Sequence, residues 1–316
     1  MDHFNQIIFS IMTMTRCGED EFTCEQGSCV SMDLRCDGKK DCEDGTDETD
    51  CSRIRIFEGY NKKLIPLPLE GQVKFYYNIS INISKIISID EIDGKFKTKM
   101  TIGRYWFNPQ LTYLDLHKSD DKNDLTLDDK NLMWIPRTVF HNLESGKGLQ
   151  KTDKLDVLRI IPNSVFEFER SEKTENKNAR IFKGSNNGLS YQREFSVKWM
   201  CDFDLAWYPF DSQICSFQFY DTGKLVNLVP VYVGYFGPKQ LSQHFFKSVS
   251  ICSKRIENRS GVVVEVYLGR PLFGSILNTF VPTTILVVLS MIIGKFRNDH
   301  LEMVIEVNLT ILLDFV

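Results

Sequence analysis

The sequence predicts a mainly β protein, in which an antiparallel β-sandwich follows a small disulfide-rich module and precedes an α-helical membrane region. Three observations support this fold class. Six of the nine cysteines lie within 35 residues, apolar and polar residues alternate along several segments, and one run of 24 residues contains no charge. The net charge of −4 on 316 residues gives no reason to expect a nucleic-acid partner.

The cysteine-rich segment, residues 17–51, is called the N-terminal module below. Six cysteines in so short a segment indicate an oxidising, extracellular compartment, because thiols stay reduced in the cytosol. The module carries 12 Asp or Glu residues and three Arg or Lys residues, a local charge of −9, so the rest of the chain carries +5. Its 35 residues bury too little apolar surface to fold on a core alone, which leaves disulfides and a metal ion to stabilise it.

The chemistry of that metal follows from the run CDGKKDCEDGTDE at the end of the N-terminal module. Carboxylates gathered around glycines favour a hard cation with oxygen ligands, and calcium fits best. The spacing does not match an EF-hand loop, which needs a ligand at nearly every second position. Zinc is disfavoured because the six cysteines pair more naturally as disulfides.

Residues 1–16 precede the module. The short apolar run from Ile7 to Met14 is interpreted as the core of a signal peptide. Asp2 stands where such a peptide usually carries positive charge, so we interpret residues 1–16 as a partial signal peptide or an incomplete gene start.

The segment 52–268 is predicted to form the sandwich. Apolar and polar residues alternate at period two from Val73 to Ser84, from Phe195 to Phe203 and from Val262 to Leu268, which is typical of half-buried strands. Polar stretches between such strands favour an antiparallel sandwich. Three asparagines begin N-x-S sequons and are candidate glycosylation sites: Asn78, Asn82 and Asn258.

Cys201 and Cys215 enclose 13 residues and are predicted to form a disulfide that closes a loop, residues 201–215, called the disulfide loop below. A bridge around a loop of this size contributes roughly 3 kcal/mol. The tip carries aromatic residues beside Asp211 and is expected to rest between the sandwich and the membrane, with Asp211 paired to Arg270. Cys252 is expected to be free and buried.

Pro271 to Gly294 is the uncharged run, and it is long enough for one transmembrane helix, 271–294. The alternative, a buried core helix, rarely runs this far without a polar face. Lys295 and Arg297 follow at once, and this positive flank leaves the N-terminal part outside the cell. The whole region 269–316 is assigned to the membrane, and its last residues are too few for a second complete span, which suggests a chain that lacks its C-terminal part.

The N-terminal module resembles a low-density-lipoprotein-receptor class A module in its FTC, RCDG and DGTDE segments. The resemblance implies three disulfides, Cys17–Cys29, Cys24–Cys42 and Cys36–Cys51. It also implies a calcium ion held by six residues: the side chains of Asp37, Asp41, Asp47 and Glu48, and the backbone carbonyls of Leu34 and Lys39. Such modules usually bind a basic protein partner.

The disulfide loop, with YPFDSQIC, resembles the signature of Cys-loop receptors, the pentameric ligand-gated ion channels. Supporting matches are SIDEIDG (88–94), WFNPQL (106–111), WIP (134–136), LGRPL (268–272) and EMVIEVNLTILL (302–313). The resemblance implies that the chain assembles with four other subunits around a pore in the plasma membrane. A small extracellular ligand would bind between adjacent sandwiches.

The same resemblance assigns roles to single residues. Glu91, Asp211 and Arg270 match the positions that couple ligand binding to gating. The ligand-binding positions match Thr101, His141, Thr222 and Arg259, and since none of these is aromatic, a conventional acetylcholine cage is not expected. For His141 a structural role is favoured over proton sensing.

The pore-lining helix is expected to begin at about 301–316. Glu302, Glu306 and Thr310 are its candidate pore residues, and rings of five Glu302 or Glu306 carboxylates favour the passage of cations. A different class of function is an endocytic receptor, in which the module captures basic ligands. A secreted binding protein is opposed by the 271–294 run, and the sequence contains no nucleophile elbow, zinc-protease motif or phosphate loop that would favour an enzyme.

Overall fold

The computed structural model describes residues 17–18, 20–49, 51–117, 119–144, 149–163, 167–168, 180–293 and 306. The strands of this part are β1 Glu21–Thr23, β2 Cys29–Ser31, β3 Ile54–Ile56, β4 Phe75–Asp90, β5 Lys95–Phe107, β6 Leu111–Leu114, β7 Thr138–Phe140, β8 Leu149–Ile161, β9 Glu167–Phe168, β10 Arg180–Lys183, β11 Gly188–Met200, β12 Ser212–Asp221, β13 Val226–Tyr235, β14 Phe245–Ile256 and β15 Arg259–Gly269. The α-helices are α1 Leu127–Leu132, α2 Leu272–Ser275 and α3 Val281–Ile293, with a π-helical turn at Ile276–Phe280. Short 3₁₀ helices lie at Met32–Leu34, Thr46–Glu48 and Asp120–Lys122.

The strands form two large sheets and two small ones. One large sheet has the order β13-β4-β5-β11-β8 and the other β14-β15-β12-β7. A smaller sheet has the order β3-β6-β10-β9, and β1-β2 is a hairpin of the N-terminal module. The prediction of a mainly β, disulfide-rich fold is therefore confirmed.

One strand pair differs from the antiparallel prediction. β13 runs parallel to β4, from the pair Val226–Phe75 to the pair Tyr235–Ile83. A parallel pair needs a long crossover, and here the whole of β5 to β12 separates the two strands along the chain. Alternation within a strand shows which face is buried, but it carries no information about the direction of a distant partner.

The core lies between the two large sheets. The alternation along β4 is confirmed from Phe75 onward, with Ile79, Ile81 and Ile83 fully buried. Val73 is not part of it: this residue is 90% exposed and precedes the strand, because the pairing with β13 begins only at Phe75. Along β15 the apolar positions Val262, Val264, Val266 and Leu268 are all fully buried, as expected.

The third predicted strand ends earlier than expected. β11 stops at Met200, and the backbone N–H of Cys201 instead donates to the carbonyl of Gly94 at 2.8 Å. This bond turns the chain away from the sheet edge at the start of the disulfide loop. The Trp199 ring, the last large core residue of β11, stacks on Phe217 with ring centroids 4.8 Å apart.

The helical end of the described chain starts directly after β15. Its three segments, α2, the π-helical turn and α3, lie within the predicted span 271–294. Pro282, at the second position of α3, has no N–H for the helical ladder, which accounts for the irregular turn just before it. Among the described residues, no helix combines the length and apolar character needed to cross a membrane.

Candidate functional site

Arg270 lies where the sandwich meets the helical end, and its side chain is only 4% exposed. Its Nε donates to Asp211 Oδ1 at 2.8 Å and its Nη2 to Asp211 Oδ2 at 3.1 Å, a bidentate guanidinium–carboxylate pair. The same Nη2 donates to Glu91 Oε1. These three residues, called the Arg270 clamp below, join the chain after β15 to two loops.

Glu91 is held in place by the turn that connects β4 and β5. In this turn the N–H of Asp93 donates to Asp90 Oδ1 at 2.9 Å, and Gly94 adopts a φ of +63°, which glycine does at little steric cost. The turn is fastened to the neighbouring loop by the bond from Cys201 N–H to Gly94 O. The turn that carries Glu91 is therefore attached to the disulfide loop, which carries Asp211.

The disulfide loop positions Asp211, which is 8% exposed. A disulfide joins Cys201 to Cys215 across the base of the loop. Inside it, Gln213 Nε2 donates to Asp211 Oδ2 at 2.5 Å and to the carbonyl of Asp204 at 2.7 Å. Both carboxylate oxygens of Asp211 thus have donors, as a buried charge requires.

An aromatic contact extends the Arg270 clamp towards the helices. The Arg270 Cζ lies 4.6 Å from the centroid of the Tyr208 ring, within cation–π range. Tyr208 in turn stacks on Phe280 with centroids 6.4 Å apart. The tip residues Trp207 and Phe210 are 78% and 69% exposed, so this apolar tip is uncovered in the described chain.

The charges of the Arg270 clamp stabilise each other. Burial alone would raise the pKa of Asp211, but hydrogen bonds from Arg270 and Gln213 outweigh it and hold the pKa below its ordinary value. The hydrogen bond to Asp211 likewise raises the pKa of Arg270. The pair is therefore charged at any physiological pH.

His244, in the connection between β13 and β14, is a fourth member of this region that the sequence did not reveal. It is 1% exposed, and its Nε2 lies 2.8 Å from Glu91 Oε1, the oxygen that Arg270 also contacts. Its Nδ1 has no hydrogen-bond partner among the described residues. Burial lowers the pKa of His244, with Arg270 acting in the same direction and Glu91 against it. The surrounding segment SQHFF carries no motif that could have singled it out.

The four predicted ligand positions fall into two places. His141 and Arg259 lie beside the ring of Tyr220, and Thr222 follows β12 close by, where its N–H donates to the carbonyl of Arg137 at 3.3 Å. Thr101 is half-buried on β5, in the other large sheet. The structure thus brings His141 and Arg259 together at Tyr220, places Thr222 two residues further along the chain and leaves Thr101 in the other sheet.

Tyr220 is the centre of that group. Its hydroxyl donates to Glu257 Oε2 at 2.9 Å, and the Arg259 Cζ lies 5.4 Å from its ring centroid. His141 Nδ1 lies 3.6 Å from Glu257 Oε1. The group therefore offers one aromatic ring, one carboxylate and one guanidinium rather than a cage of rings.

The remaining surface predictions are placed as follows. Asn78 and Asn82 are exposed on the same face of β4, and Asn258 is exposed between β14 and β15. Cys252 forms no disulfide, but it is exposed on β14, so the expectation that it is buried was wrong. Successive side chains of a β-strand point to opposite faces of the sheet, and in β14 the side chain of Cys252 is on the face away from the core. Of the pore candidates, Glu302 and Thr310 lie outside the described residues, and Glu306 is exposed.

Three disulfides close the N-terminal module, in the pairs that the resemblance implies: Cys17–Cys29, Cys24–Cys42 and Cys36–Cys51. Its small core consists of Phe22, Cys24, Met32 and Cys42. Arg35 is 6% exposed, packs over the Phe22 ring at 4.6 Å and donates to the carbonyl of Asp47. Arg35 therefore connects the hairpin to the acidic half of the module.

The acidic half fits a calcium ion. Asp47 is fully buried, and its Oδ1 has no hydrogen-bond partner among the described residues, while its Oδ2 accepts from Asp41 N–H at 2.6 Å. Glu48 Oε1 is likewise buried without a described partner. Buried carboxylate oxygens without donors are costly unless a cation neutralises them. Asp37, Asp41 and Lys39 are exposed and Leu34 is half-buried beside them.

Other groupings of ligand atoms in the module do not suggest a different metal. Ligand atoms within 4.8 Å of one another occur in Cys17, Glu21 and Cys29 and in Cys24, Cys42 and Asp44. The cysteine sulfurs in both sets are already bonded to each other. The orphaned oxygens of Asp47 and Glu48 thus remain the best evidence for a cation.

The N-terminal module is attached to the sandwich by ion pairs. Asp33 Oδ1 lies 2.7 Å from Lys122 Nζ and 3.3 Å from His117 Nδ1. Arg35 Nε lies 3.7 Å from Asp115 Oδ2, and both of these side chains are largely buried. Asp33 and Arg35 flank Leu34, a predicted calcium ligand, so the docking segment and the calcium loop share residues.

Comparison with known families agrees with this architecture. The family described as the neurotransmitter-gated ion-channel ligand binding domain matches residues 53–229, more than half of the chain. The chain belongs to this family. The low-density lipoprotein receptor domain class A matches residues 15–51, which include the N-terminal module.

Individual relatives of this channel-family chain are distant. The acetylcholine-gated chloride channel subunit acc-1 of Caenorhabditis elegans is 26% identical over 185 residues, 56% of this chain and 33% of the relative. The gamma-aminobutyric acid receptor subunit pi of Rattus norvegicus is 26% identical over 247 residues, 74% of this chain and 49% of the relative. The acetylcholine receptor subunit beta-type unc-29 of C. elegans is 19% identical over 282 residues. The chain thus spans about a third to a half of the length of these relatives.

Proposed function

We propose that the chain is a subunit of an extracellular ligand-gated ion channel, in which ligand bound between adjacent sandwiches opens a pore. The observation that carries this proposal is the buried Arg270 clamp. One guanidinium connects the β4–β5 turn, the disulfide loop and the first residues of the helical end. A protein that only presented a binding module would not need this connection.

The clamp supports a mechanism for gating. A shift of either large sheet moves Glu91 or Asp211, and Arg270 transmits the movement to Pro271 and α2 without an intervening linker. Tyr208, which packs on both Arg270 and Phe280, supplies a second contact to the helical segment. A ligand opens such a channel only if it binds the open arrangement more tightly than the closed one.

The ligand site is proposed to lie between two subunits. One subunit contributes His141 and Arg259 beside Tyr220, together with Thr222, and the next contributes the β5 face that bears Thr101. The relatives are named for acetylcholine and for gamma-aminobutyric acid. Because Tyr220 is a single ring with Arg259 over it, the group suits a small ligand with a carboxylate better than a quaternary ammonium ion.

The rest of the molecule follows from this assignment. The chain is proposed to reside in the plasma membrane as one of five subunits, with the N-terminal module and the sandwich outside the cell and 271–294 as the first membrane helix. The module is proposed to hold calcium through Asp47 and its neighbours and to bind a basic protein. Rings of Glu302 and Glu306 at the pore make cations the proposed permeant ions.

Electrophysiology tests the proposal directly. The complete coding sequence that includes this chain and the membrane segments expected after it is expressed in oocytes, and currents evoked by gamma-aminobutyric acid and acetylcholine are recorded together with the reversal potential. We expect an evoked current that Arg270→Gln abolishes and the surface control Arg255→Gln preserves. A protein that remains monomeric in detergent and takes up basic ligands without any current would favour the endocytic receptor instead, and a reversal potential that follows chloride would overturn cation selectivity.

A further inference from the structure

A cavity of the sandwich adjoins the group around Tyr220, because the carbonyl of its lining residue Arg137 accepts a hydrogen bond from the N–H of Thr222 at 3.3 Å. Its volume is about 600 Å³, a size typical of small-molecule sites. Six of its lining residues are basic and none is acidic: Lys62, Lys63, Arg104, Lys130, Arg137 and Arg193. The lining also includes the apolar residues Met133, Phe140 and Phe195, and the Arg193 Cζ lies 6.0 Å from the centroid of the Phe195 ring. We call this the basic cavity.

Arg104 makes the basic cavity unusual, because a buried guanidinium normally has a carboxylate partner. This residue is 4% exposed, and its Nε donates only to the hydroxyl of Thr138 at 3.0 Å. Within the described part of the chain no carboxylate forms an ion pair with it. The buried Asp221 instead accepts from the Tyr77 hydroxyl and from Gly223 N–H.

The neighbouring charges are also incompletely neutralised. Asp156 is shared between Lys130 Nζ at 3.1 Å and Arg193 Nη2 at 3.5 Å. Arg193 Nε is buried and has no described hydrogen-bond partner. One carboxylate therefore serves two cations, while Arg104 has no described carboxylate in hydrogen-bond contact, lies 5.6 Å from the Tyr191 ring centroid, and is attracted by the charge of Asp221 and repelled by that of Arg193. An anion that entered the cavity would relieve this repulsion.

From this arrangement we infer that the basic cavity binds a small organic anion that carries one or more carboxylates. The forked donors of Arg104 and Arg193 match carboxylate geometry, and the apolar lining residues accommodate a short carbon skeleton. Lys63 and the exposed Arg137 at the cavity lining attract the ligand from solvent. All the lining residues belong to one subunit, whereas the proposed transmitter site lies between two subunits, so the two sites are neighbours with different lining residues.

Isothermal titration calorimetry of the purified full chain with succinate tests the inference. Succinamide, which has the same skeleton without charge, is titrated in parallel, and sodium chloride keeps the ionic strength constant. We expect saturable binding of succinate but not of succinamide. Arg104→Gln and Arg193→Gln should each weaken binding about tenfold or more, because each removes charged hydrogen bonds to the ligand.

Control variants decide between this site and general charge attraction. Lys97→Gln removes a cation from the same strand as Arg104 but outside the basic cavity, and it should change the affinity less than about twofold. Arg137 is an exposed lining residue, so its replacement is not expected to affect folding. If Arg104→Gln does not fold, Arg137→Gln is measured instead and must weaken succinate binding. Three results would overturn the inference: succinate shows no saturable binding, Lys97→Gln loses as much succinate affinity as Arg104→Gln, or Arg259→Gln is the one variant that loses affinity. None of these results depends on whether the chain conducts ions.

Discussion

A single guanidinium holds the junction of this protein together, because Arg270 satisfies two carboxylates from different loops while almost completely buried. Removing one member of such a pair leaves an uncompensated buried charge, which typically costs about 3–5 kcal/mol. The Arg270 clamp is therefore both a structural contact and the proposed route of coupling. Its energetic and functional roles can be separated by experiment.

A double-mutant cycle tests the contact itself. Arg270→Gln should lower the free energy of unfolding by about 3–5 kcal/mol, measured by urea denaturation of the full chain. Asp211→Asn should have a comparable effect, and the double variant should lose much less than the sum, because the two side chains contact each other. Arg255→Gln, an exposed change on β14, is the control and should have almost no effect. Strict additivity in the cycle would contradict the direct contact.

His244 predicts a pH dependence of stability. Burial lowers its pKa in the folded state, so the unfolded chain binds more protons than the folded chain once the pH falls below the ordinary value of about 6.5. Stability should therefore be fully present above about pH 6.5 and decrease as the pH falls below that value. His244→Gln should reduce this slope in denaturation curves recorded above and below it.

A second histidine supplies the control for that measurement. Burial also lowers the pKa of His117, so His117→Gln should remove a separate part of the same slope, and the two effects should add. A slope that is identical in His244→Gln and in the unmodified chain would contradict the buried, neutral state of His244.

At the scale of elements, the N-terminal module depends on cross-links rather than on a large core. Its buried apolar residues are few, and the oxygens of Asp47 and Glu48 lack donors in the described structure. The module should thus need its cation to keep the acidic half folded, whereas the disulfide loop of the sandwich should not. This difference can be measured in one sample.

Chelation is the corresponding experiment. EDTA should increase the rate at which a reductant opens Cys36–Cys51 and leave the Cys201–Cys215 bond unchanged, as followed by alkylation and mass spectrometry. Asp47→Asn should reproduce the effect without EDTA. Glu43→Gln, an exposed acid of the same module that is not a predicted ligand, is the matched control. Unchanged reactivity of Cys36–Cys51 under EDTA would refute a calcium site.

At the scale of the whole molecule, the ion pairs of Asp33 and Arg35 dock the N-terminal module on the sandwich. Asp33→Lys should repel Lys122 and His117, separate the module from the sandwich and make the connection near residue 52 more sensitive to limited proteolysis. The double variant with Lys122→Asp should restore protection. Glu43→Lys, which changes the module charge equally at another site, should not alter proteolysis. Equal sensitivity in all four proteins would rule out docking through this pair.

Features that depend on residues near one another in the chain, or on a recognisable motif, could be predicted from the sequence, whereas other features that join distant residues could not. Strand alternation and the pairing of Asp211 with Arg270 could be inferred, since the first is a local pattern and the second is linked to a motif. The parallel β13–β4 pair could not, because alternation does not encode a partner far along the chain. His244 and the basic cavity were missed for the same reason: the cavity residues come from positions 62 to 195, and only the folded sheets bring them together.

The parallel pair also has a consequence for biosynthesis. β4 finds one neighbour, β5, as soon as the hairpin is made, but its other edge stays open until residues 226–235 have left the ribosome. The exposed sequon residues Asn78 and Asn82 lie on this same strand. Glycans attached to them during synthesis would shield an open strand edge from aggregation until β13 arrives to cover it.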